Sequence, residues 1–279
     1  MIEREHKFEN ADGITLFYRE WQSDSGKARG IVFILHGLSE HSGRYRHVAA
    51  ALTGGGFLCY GIDHRGHGKS GGTRAFIPDG QLAIDDLDEL YTIVRAEQPD
   101  RPIFLFGHSM GSLIGLGFAL RHPHRLRGIV TTGTPLHSEF GKPAWLVSLC
   151  LQAAQYLPRL RLSPPGGPSV LTADRDMLRQ WWADPLIDKG MWRVGTSAAL
   201  VLLAREICRS AASIEIPLLI MHGTGDRLAP DSGSAFLAEA VGSDDVTLKI
   251  YPELRHELVN EVSRAEIITT VKNWLVERA

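Results

Sequence analysis

Short apolar runs alternate with amphipathic stretches along most of the chain. Each run has the length of a buried strand, and the stretches between runs carry apolar residues at helical spacing. The pattern predicts strands at 31–35, 57–62, 103–106, 126–132, 218–221 and 246–251, and helices over 44–54, 81–97, 112–121, 232–240 and 262–277. Apolar strands that alternate with helices are typical of a mostly parallel sheet covered on both faces.

The first residues follow a different pattern. The stretch KFENADGITLFYREW, from Lys7 to Trp21, contains two strand-like runs separated by Ala11-Asp12-Gly13. A glycine-containing turn between two such runs is typical of a β-hairpin. The hairpin is therefore expected to add antiparallel strands to one edge of the sheet.

The alternation stops between about Pro135 and about Ser210. This stretch contains PAWLVSLCLQAAQYL, the Pro- and Gly-rich SPPGGP, and LRQWWADPLIDKGMW. A long insertion in a compact domain is usually functional or forms a lid. We therefore expect a core formed by residues 1–134 and 211–279, with a helical cap over residues 135–210.

Composition narrows the class of protein. Of the 279 residues, 44% are hydrophobic and 22% are charged, and the formal net charge is −2. This balance argues against a nucleic-acid partner, because nucleic-acid binders usually carry a strong basic excess. No apolar run approaches the ~20 residues that span a bilayer, and the N-terminus lacks an apolar signal core. We expect a cytoplasmic protein, and the sequence leaves its oligomeric state open.

The strongest chemical motif is Gly107-x-Ser109-x-Gly111, which follows a predicted strand and precedes a helix rich in small residues. This is the context of a nucleophile elbow, a sharp turn that presents a serine hydroxyl at the carboxyl end of the sheet. The glycines let strand and helix approach closely, and the helix N-terminus offers N–H groups to a developing oxyanion. Ser109 is the predicted nucleophile.

A serine nucleophile needs a base, and the base needs an orienting carboxylate. In hydrolases of this architecture the three residues follow in the order serine, acid, histidine. Asp226 lies in the turn after strand 218–221, and His256 lies in the loop after strand 246–251. Both follow strand carboxyl ends, as Ser109 does, so Asp226 is the predicted acid and His256 the predicted base.

Neighbouring polar residues are interpreted differently. Asp231 is placed to begin the next helix, and Asp244 and Asp245 precede a strand rather than follow one. His222 is expected to remain within its strand end. His108 is expected to point away from the serine because of the turn.

Two lookalike motifs are set aside. GHGKS at 66–70 ends like a phosphate-binding loop, but Asp63 occupies the position of the required first glycine. His64 and His67 are spaced like a metal pair, but the sequence offers no evident third ligand. The cysteines form no CxxC or CxxH pattern. No metal and no organic cofactor is expected.

Together these motifs resemble the α/β-hydrolase fold, and more narrowly its monoacylglycerol lipase and lysophospholipase group. HGLSEHSGRY at 36–45 resembles that group's H-G-x-x-E-H-S-x-R-Y loop, and DHRGHGKSGG at 63–72 resembles its D-x-x-G-H-G-x-S loop. GHSMGS, DPLIDKG, HGTGDRL and YPELRHEL resemble its elbow, cap, acid and histidine segments. The resemblance covers nearly the whole chain, although Ser112 replaces the second glycine after the elbow.

The resemblance implies roles for five residues. Ser109 would attack the ester, His256 would act as base and then as acid, and Asp226 would orient His256. The backbone N–H groups of Leu38 and Met110 would form the oxyanion hole.

The resemblance also implies substrate-binding residues. Glu40 and Arg44 resemble positions that arrange the polar head of a glycerol ester. The alternative is a solvated ion pair near the start of a helix.

The predicted cap suggests the acyl half of the substrate. It contains an apolar stretch too short to span a bilayer but long enough to lie against a lipid surface or line an acyl channel. The alternative is that these residues pack the cap on the core. The stretch comprises Trp145, Leu146, Val147, Leu149, Cys150 and Leu151, and Trp181, Trp182 and Trp192 extend it.

The predicted function is a serine ester hydrolase of medium- to long-chain acyl esters that prefers monoacylglycerols and makes transient contact with lipid surfaces through the cap. A lysophospholipase or a broad-specificity carboxylesterase is the alternative among enzymes. A peptidase is disfavoured, because no acidic cluster is evident to hold an α-amino group. A ligand-binding receptor on a hydrolase scaffold is the alternative from another class.

Overall fold

The computed structural model describes residues 1–24, 28–137, 144–162, 167–190 and 192–279. The strands are β1 (Ile2–Glu9), β2 (Thr15–Gln22), β3 (Gly30–Leu35), β4 (Phe57–Asp63), β5 (Ile103–His108), β6 (Gly128–Thr132), β7 (Arg161–Leu162), β8 (Trp192–Arg193), β9 (Leu218–Gly223) and β10 (Val246–Tyr251). The α-helices are α1 (Arg46–Gly54), α2 (Gly80–Glu97), α3 (Met110–Arg121), α4 (Ala144–Tyr156), α5 (Arg175–Ala183), α6 (Val194–Ser210), α7 (Ser232–Ala240) and α8 (Arg264–Arg278).

One eight-stranded sheet organises the fold, with the strand order β1-β2-β4-β3-β5-β6-β9-β10. The β1–β2 hairpin is antiparallel and joins the sheet through an antiparallel β2–β4 pair. From β4 to β10 the neighbouring strands are parallel. The predicted mostly parallel sheet with a leading antiparallel hairpin is confirmed. Because the parallel strands end at the same edge, the loops after them meet there.

The helices cover both faces of the sheet, as the apolar strands require. On β3, Ile31, Phe33 and Leu35 face one core layer, which α2, α3, α6 and α7 complete. Val32 and Ile34 face the opposite layer, which α1 and α8 complete. This alternation along one strand shows why the run from 31 to 35 is apolar at every position.

The insertion between β6 and β9 contains α4, α5, the short β7–β8 ribbon and α6. Helix α6 packs into the core, where Leu203, Ala204 and Ile207 are buried against the residues of α2 and α3. Helix α4 is exposed along most of its length. The cap boundaries 135–210 stay a prediction, and residues 138–143, 163–166 and 191 lie outside the described part of the chain.

No helix among the described residues combines the length and the apolarity needed to cross a membrane.

Candidate active site

Ser109 occupies the turn between β5 and α3, with φ +51° and ψ −117°. This backbone conformation is strained for a residue with a side chain and lifts the partly exposed serine above the sheet edge. A Cβ at Gly111 would lie 2.1 Å from the carbonyl oxygen of Leu35, and one at Gly107 would lie 2.7 Å from the carbonyl oxygen of Gly111. Only glycine fits at either position, which is why strand and helix can approach so closely around the serine.

The neighbouring backbone holds this turn in place. The Ser109 N–H donates to the carbonyl of Thr132 at the end of β6, at 2.9 Å. The Ser112 side chain, which replaces the expected glycine, donates to the carbonyl oxygen of Ser109 at 2.5 Å. Ser112 therefore fits the elbow and adds a bond to it.

Asp226 and His256 meet at the same sheet edge. His256 Nδ1 lies 2.6 Å from Asp226 Oδ2. Because a carboxylate only accepts, Nδ1 carries the proton and Nε2 is the basic nitrogen of the neutral ring. The His256 ring packs over Gly133, where a Cβ would lie 3.1 Å from Nδ1. Gly133 directly follows Thr132, the residue that binds the Ser109 backbone, so the base loop and the nucleophile share one strand end.

The electrostatics of this pair favour a strong base. Burial alone would lower the pKa of His256, but the Asp226 carboxylate outweighs burial and holds that pKa above its ordinary value. Burial alone would raise the pKa of Asp226, but His256, His222 and backbone N–H groups hold it well below its usual range. The carboxylate therefore stays ionised throughout the range in which His256 titrates.

His222 belongs to the site, which the sequence did not predict. It ends within β9 as expected, but its Nε2 lies 3.1 Å from Asp226 Oδ2 and 3.1 Å from the carbonyl oxygen of Ala229. Both partners only accept, so Nε2 carries a proton. Its Nδ1 lies 2.7 Å from the hydroxyl of Ser234. The signal available in the sequence was a histidine at a strand end, four residues before the predicted acid.

His108, expected to point away from the serine, contacts the predicted base. Its ring centroid lies 4.7 Å from that of His256, and its Nδ1 lies 3.0 Å from the Thr132 hydroxyl. The positive φ belongs to Ser109, so His108 still follows the strand geometry and faces the end of β6. Burial and the neighbouring His256 lower its pKa to about 4, so His108 is neutral at physiological pH.

The loop after β3 lies against the nucleophile. A Cβ at Gly37 would lie 3.4 Å from the Ser109 Cβ. Glu40 Oε1 accepts a bond from the Gly37 N–H at 2.7 Å and fixes this turn. Within the described residues, neither the Leu38 N–H nor the Met110 N–H donates to another group. The oxyanion role of these two N–H groups stays a prediction.

Glu40 and Arg44 are buried rather than solvated, which excludes the alternative of an exposed ion pair. Arg44 Nη1 donates to Glu40 Oε2 at 2.5 Å. The same guanidinium makes two bonds to Glu257, at 2.8 and 2.7 Å. Glu257, which directly follows His256, was not predicted. The proposed contact of Glu40 and Arg44 with a glycerol head stays a prediction.

Three buried histidines cluster at this loop, His36, His64 and His67. The ring centroid of His36 lies 4.5 Å from that of His64 and 5.3 Å from that of His67. The backbone N–H of His64 donates to His36 Nε2 at 3.0 Å. Nδ1 of His36 therefore carries the ring proton and donates it to the Gly37 carbonyl at 2.7 Å. Across the described chain, no group of three or more His, Cys, Asp and Glu side chains could hold a metal ion.

Acyl transfer needs a serine held clear of its turn, a base oriented by a carboxylate, and N–H groups for the oxyanion. This structure places the Ser109 turn and the His256–Asp226 pair at the carboxyl edge of a parallel sheet, and the two oxyanion N–H groups stay a prediction. The fold and the site define a serine hydrolase of the α/β-hydrolase fold, a carboxylic ester hydrolase.

Comparison with known proteins gives the family. The family model described as Serine aminopeptidase, S33 matches residues 26–263. Monoacylglycerol lipase from Mycolicibacterium smegmatis is 34% identical over 98% of this chain and 96% of its own length. Human monoglyceride lipase is 32% identical over 96% of this chain and 89% of its own length. The crystal structure of Paleococcus ferrophilus monoacylglycerol lipase superposes with a TM-score of 0.83 at 28% identity and covers 100% of both chains.

The chain belongs to this S33 family as a homologue of the monoacylglycerol lipases. The resemblance drawn from its motifs is confirmed.

Proposed function

We propose that the protein hydrolyses monoacylglycerols to fatty acid and glycerol through an acyl-enzyme on Ser109. The observation that carries the proposal is the 2.6 Å bond between His256 and Asp226 at the strand end that also holds the Ser109 elbow. The substrate class comes from the full-length relatives, whose names are those of monoacylglycerol lipases.

The reaction runs in two halves. In the first, His256 Nε2 takes the proton of the Ser109 hydroxyl as its oxygen attacks the ester carbonyl. The resulting oxyanion accepts from the N–H groups of Leu38 and Met110, and the Asp226 carboxylate stabilises the imidazolium. His256 then gives the proton to the departing glycerol oxygen. In the second half, a water molecule gives a proton to His256 as its oxygen attacks the acyl carbonyl. The bond between the acyl group and Ser109 then breaks, His256 returns the proton to the Ser109 oxygen, and the fatty acid leaves.

An aminopeptidase activity, which the family description names, is disfavoured by the charges at the site. Holding a substrate α-amino group requires an unpaired carboxylate near the nucleophile. The glutamates whose charges act on His256 are Glu257 and Glu40, and both are already paired with Arg44. Asp226 is bonded to His256 and His222.

The exposed face of α4 supports transient contact with a lipid surface. Trp145 is 69% exposed, Leu149 54% and Tyr156 82%. Their spacing places them on one side of the helix. Such exposure contradicts the alternative in which Trp145 packs the cap on the core. Helix α4 carries no charged residue, and an exposed apolar helix with aromatic residues can lie in the interface of a bilayer, at the headgroup level. A role for Trp181, Trp182 and Trp192 in an acyl channel stays a prediction.

An ester panel tests the substrate class. The purified protein is given monoacylglycerols of increasing chain length, lysophosphatidylcholine of matched acyl chains, and short p-nitrophenyl esters. We expect the highest kcat/KM with medium- to long-chain monoacylglycerol. Much faster cleavage of lysophosphatidylcholine would instead assign a lysophospholipase. Turnover far below the common range of about 1–10³ per second on every ester, together with tight ligand binding, would assign a receptor.

A further inference from the structure

Arg44 joins two loops that are far apart in the chain. On one side its guanidinium meets Glu40 in the loop after β3, at 2.5 Å. On the other side it makes a two-pronged contact with Glu257 in the loop after β10, at 2.8 and 2.7 Å. We refer to Glu40, Arg44 and Glu257 as the bridge. Paired N–H···O bonds between arginine and carboxylate fix orientation as well as distance.

One end of the bridge holds the oxyanion loop. Glu40 Oε1 accepts from the Gly37 N–H at 2.7 Å and from the Tyr45 hydroxyl at 2.7 Å. Gly37 directly precedes Leu38, whose N–H is the proposed oxyanion donor. The position of Glu40 therefore sets the position of that donor.

The other end holds the base loop. Glu257 directly follows His256, and its Oε2 accepts a second bond from the Asn260 side chain at 2.8 Å. The Glu257 N–H donates to the carbonyl of Leu171 in the insertion, at 2.8 Å. The bridge thus links the oxyanion loop, the base loop and the insertion.

The charges of the bridge do not cancel. Two buried carboxylates face one guanidinium, so the bridge retains a net negative charge. A buried ion pair is weak evidence for a stabilising role, because desolvation offsets most of the attraction. The surplus charge lies next to His256, where positive charge develops during the reaction.

We propose that Glu257 is a positioning residue for the hydrolysis: through Arg44 it holds the Leu38 N–H in register with the His256 ring, and its charge stabilises the imidazolium. The proposal rests on the proposed function in one respect, that Ser109 is the nucleophile.

The groups that face His256 determine the pH response. Burial lowers the pKa of His256, whereas Asp226, Glu257 and Glu40 raise it, and the net effect is an increase. His108, whose ring packs against the His256 ring at a tilted angle, is neutral at physiological pH because burial and His256 lower its pKa to about 4. Removing the charge of Glu257 therefore lowers the pKa of His256.

The substitution Glu257→Gln tests the proposal. It leaves a neutral Glu40–Arg44 pair, so no unpaired charge is buried. We expect kcat to fall about 10- to 10²-fold, less than the 10²–10³-fold typical for the loss of one oxyanion donor. We expect the acid limb of kcat/KM to move about 1 unit to lower pH. Labelling of Ser109 by a fluorophosphonate should slow by a similar factor as kcat.

A matched control lies elsewhere in the chain. Arg65 makes two bonds to the buried Asp86, at 2.6 and 2.8 Å, and one bond to Asp12 at 2.8 Å. The Asn10 side chain donates to Asp86, as Asn260 does to Glu257. The substitution Asp86→Asn should lower the melting temperature about as much as Glu257→Gln, with kcat and the pH profile unchanged.

A second variant separates position from charge. Tyr45→Phe removes the hydroxyl that bonds Glu40 and alters no charge. It should lower kcat without shifting the acid limb of kcat/KM, whereas Glu257→Gln should lower kcat and also shift that limb.

Three results would overturn the proposal. One is a Glu257→Gln protein that loses thermal stability but keeps the wild-type kcat, labelling rate and pH profile. Another is a Tyr45→Phe protein with unchanged kcat. The third is a loss confined to the KM for monoacylglycerol and absent with a p-nitrophenyl ester of the same acyl chain, which would assign the bridge to leaving-group recognition. Failure of the wild-type protein to be labelled at Ser109 would instead contradict the proposed function.

Discussion

The Asp226 carboxylate is bonded on both oxygens. Oδ1 accepts the backbone N–H groups of Leu228 at 2.8 Å and Ala229 at 3.0 Å, and Oδ2 accepts from His256 and His222. Ser234 in turn fixes the His222 ring. The orientation of His256, the proposed base, therefore depends on His222 through the Asp226 oxygen that both rings share.

The substitution His222→Ala tests this dependence. A hydrogen bond to a charged group contributes about 1.5–3 kcal/mol, so we expect kcat to fall about 10- to 10²-fold with little change in KM. His222→Gln retains an N–H donor near Oδ2 and should recover most of the rate. Steady-state kinetics on all three proteins measure the effect. An alanine variant with lowered melting temperature but full kcat would contradict it.

The sequence predicted the residues that form local motifs and missed those that depend on distant partners. Ser109 was predicted from a five-residue pattern and its strand–helix frame, and Asp226 was predicted from its place after a strand. Glu257 was missed, because its partner Arg44 lies 213 positions away. The contacts of His108 with Thr132 and His256 were not predicted, because they depend on how three strand ends meet.

At the scale of elements, the predicted strands and helices are present, and their ends differ where glycines or turns set the boundary. Helix α3 begins at Met110 rather than Ser112, because Ser109 alone connects the end of β5 to the helix. The predicted helix over 44–54 begins with a 3₁₀ turn at Ser42–Tyr45. Hydrophobic spacing gives the type of an element, and the backbone geometry of its ends comes from contacts outside it.

Helix α4 provides a prediction at this scale. Replacing Trp145 and Leu149 by serine removes two exposed apolar side chains without opening a cavity. Full burial of such a side chain contributes about 1.5–3 kcal/mol, so binding to phospholipid vesicles should weaken at least about 10-fold. Cosedimentation with vesicles measures the effect, and activity on a soluble short-chain ester should stay unchanged.

The matched control for this double variant is Leu248→Ser, which lies outside the insertion in the edge strand β10. Leu248 is 39% exposed and apolar but belongs to the sheet rather than to α4. It should bind vesicles like the wild type. Equal vesicle binding by all three proteins would contradict the proposed lipid contact.

At the scale of the whole molecule, four histidines with lowered pKa values are buried near the carboxyl edge of the sheet. Burial lowers the pKa of His36 and His64, and it lowers the pKa of His67 to about 3 and that of His108 to about 4. In the unfolded chain these groups titrate near their ordinary pKa of about 6.5. Between that pH and the folded values, the unfolded state binds more protons than the folded state.

The folded state should therefore lose stability on acidification. The contribution of these histidines is complete above about pH 6.5 and is lost as the pH falls towards the folded pKa values, by up to about 1.4 kcal/mol per group and pH unit. The carboxyl pKa of Asp226 is lowered, and that of Glu40 is lowered to about 2. Both carboxyls therefore add a second loss of stability below about pH 4.5. The contribution of His256 to stability has the opposite pH dependence, because its pKa is raised in the folded state. That contribution is lost as the pH rises through the raised pKa.

Urea unfolding at a series of pH values between 8 and 5 measures this loss, on the order of a few kcal/mol in total. His67→Asn keeps an N–H donor near the Arg65 carbonyl and removes one titrating group, so it should reduce the slope. A free energy of unfolding that does not change between pH 7 and 5 would contradict the account.

The central claim is that Ser109 carries out the hydrolysis of monoacylglycerol. The most direct measurement is fatty-acid release from a monoacylglycerol by the wild-type protein, by Ser109→Ala and by the neighbouring control Ser112→Ala. We predict that Ser109→Ala lowers kcat by roughly 10⁴–10⁶-fold. Ser112→Ala, which loses one bond to the Ser109 carbonyl, should stay within about 10-fold of the wild type. Sustained release of fatty acid by the Ser109→Ala protein would contradict the mechanism.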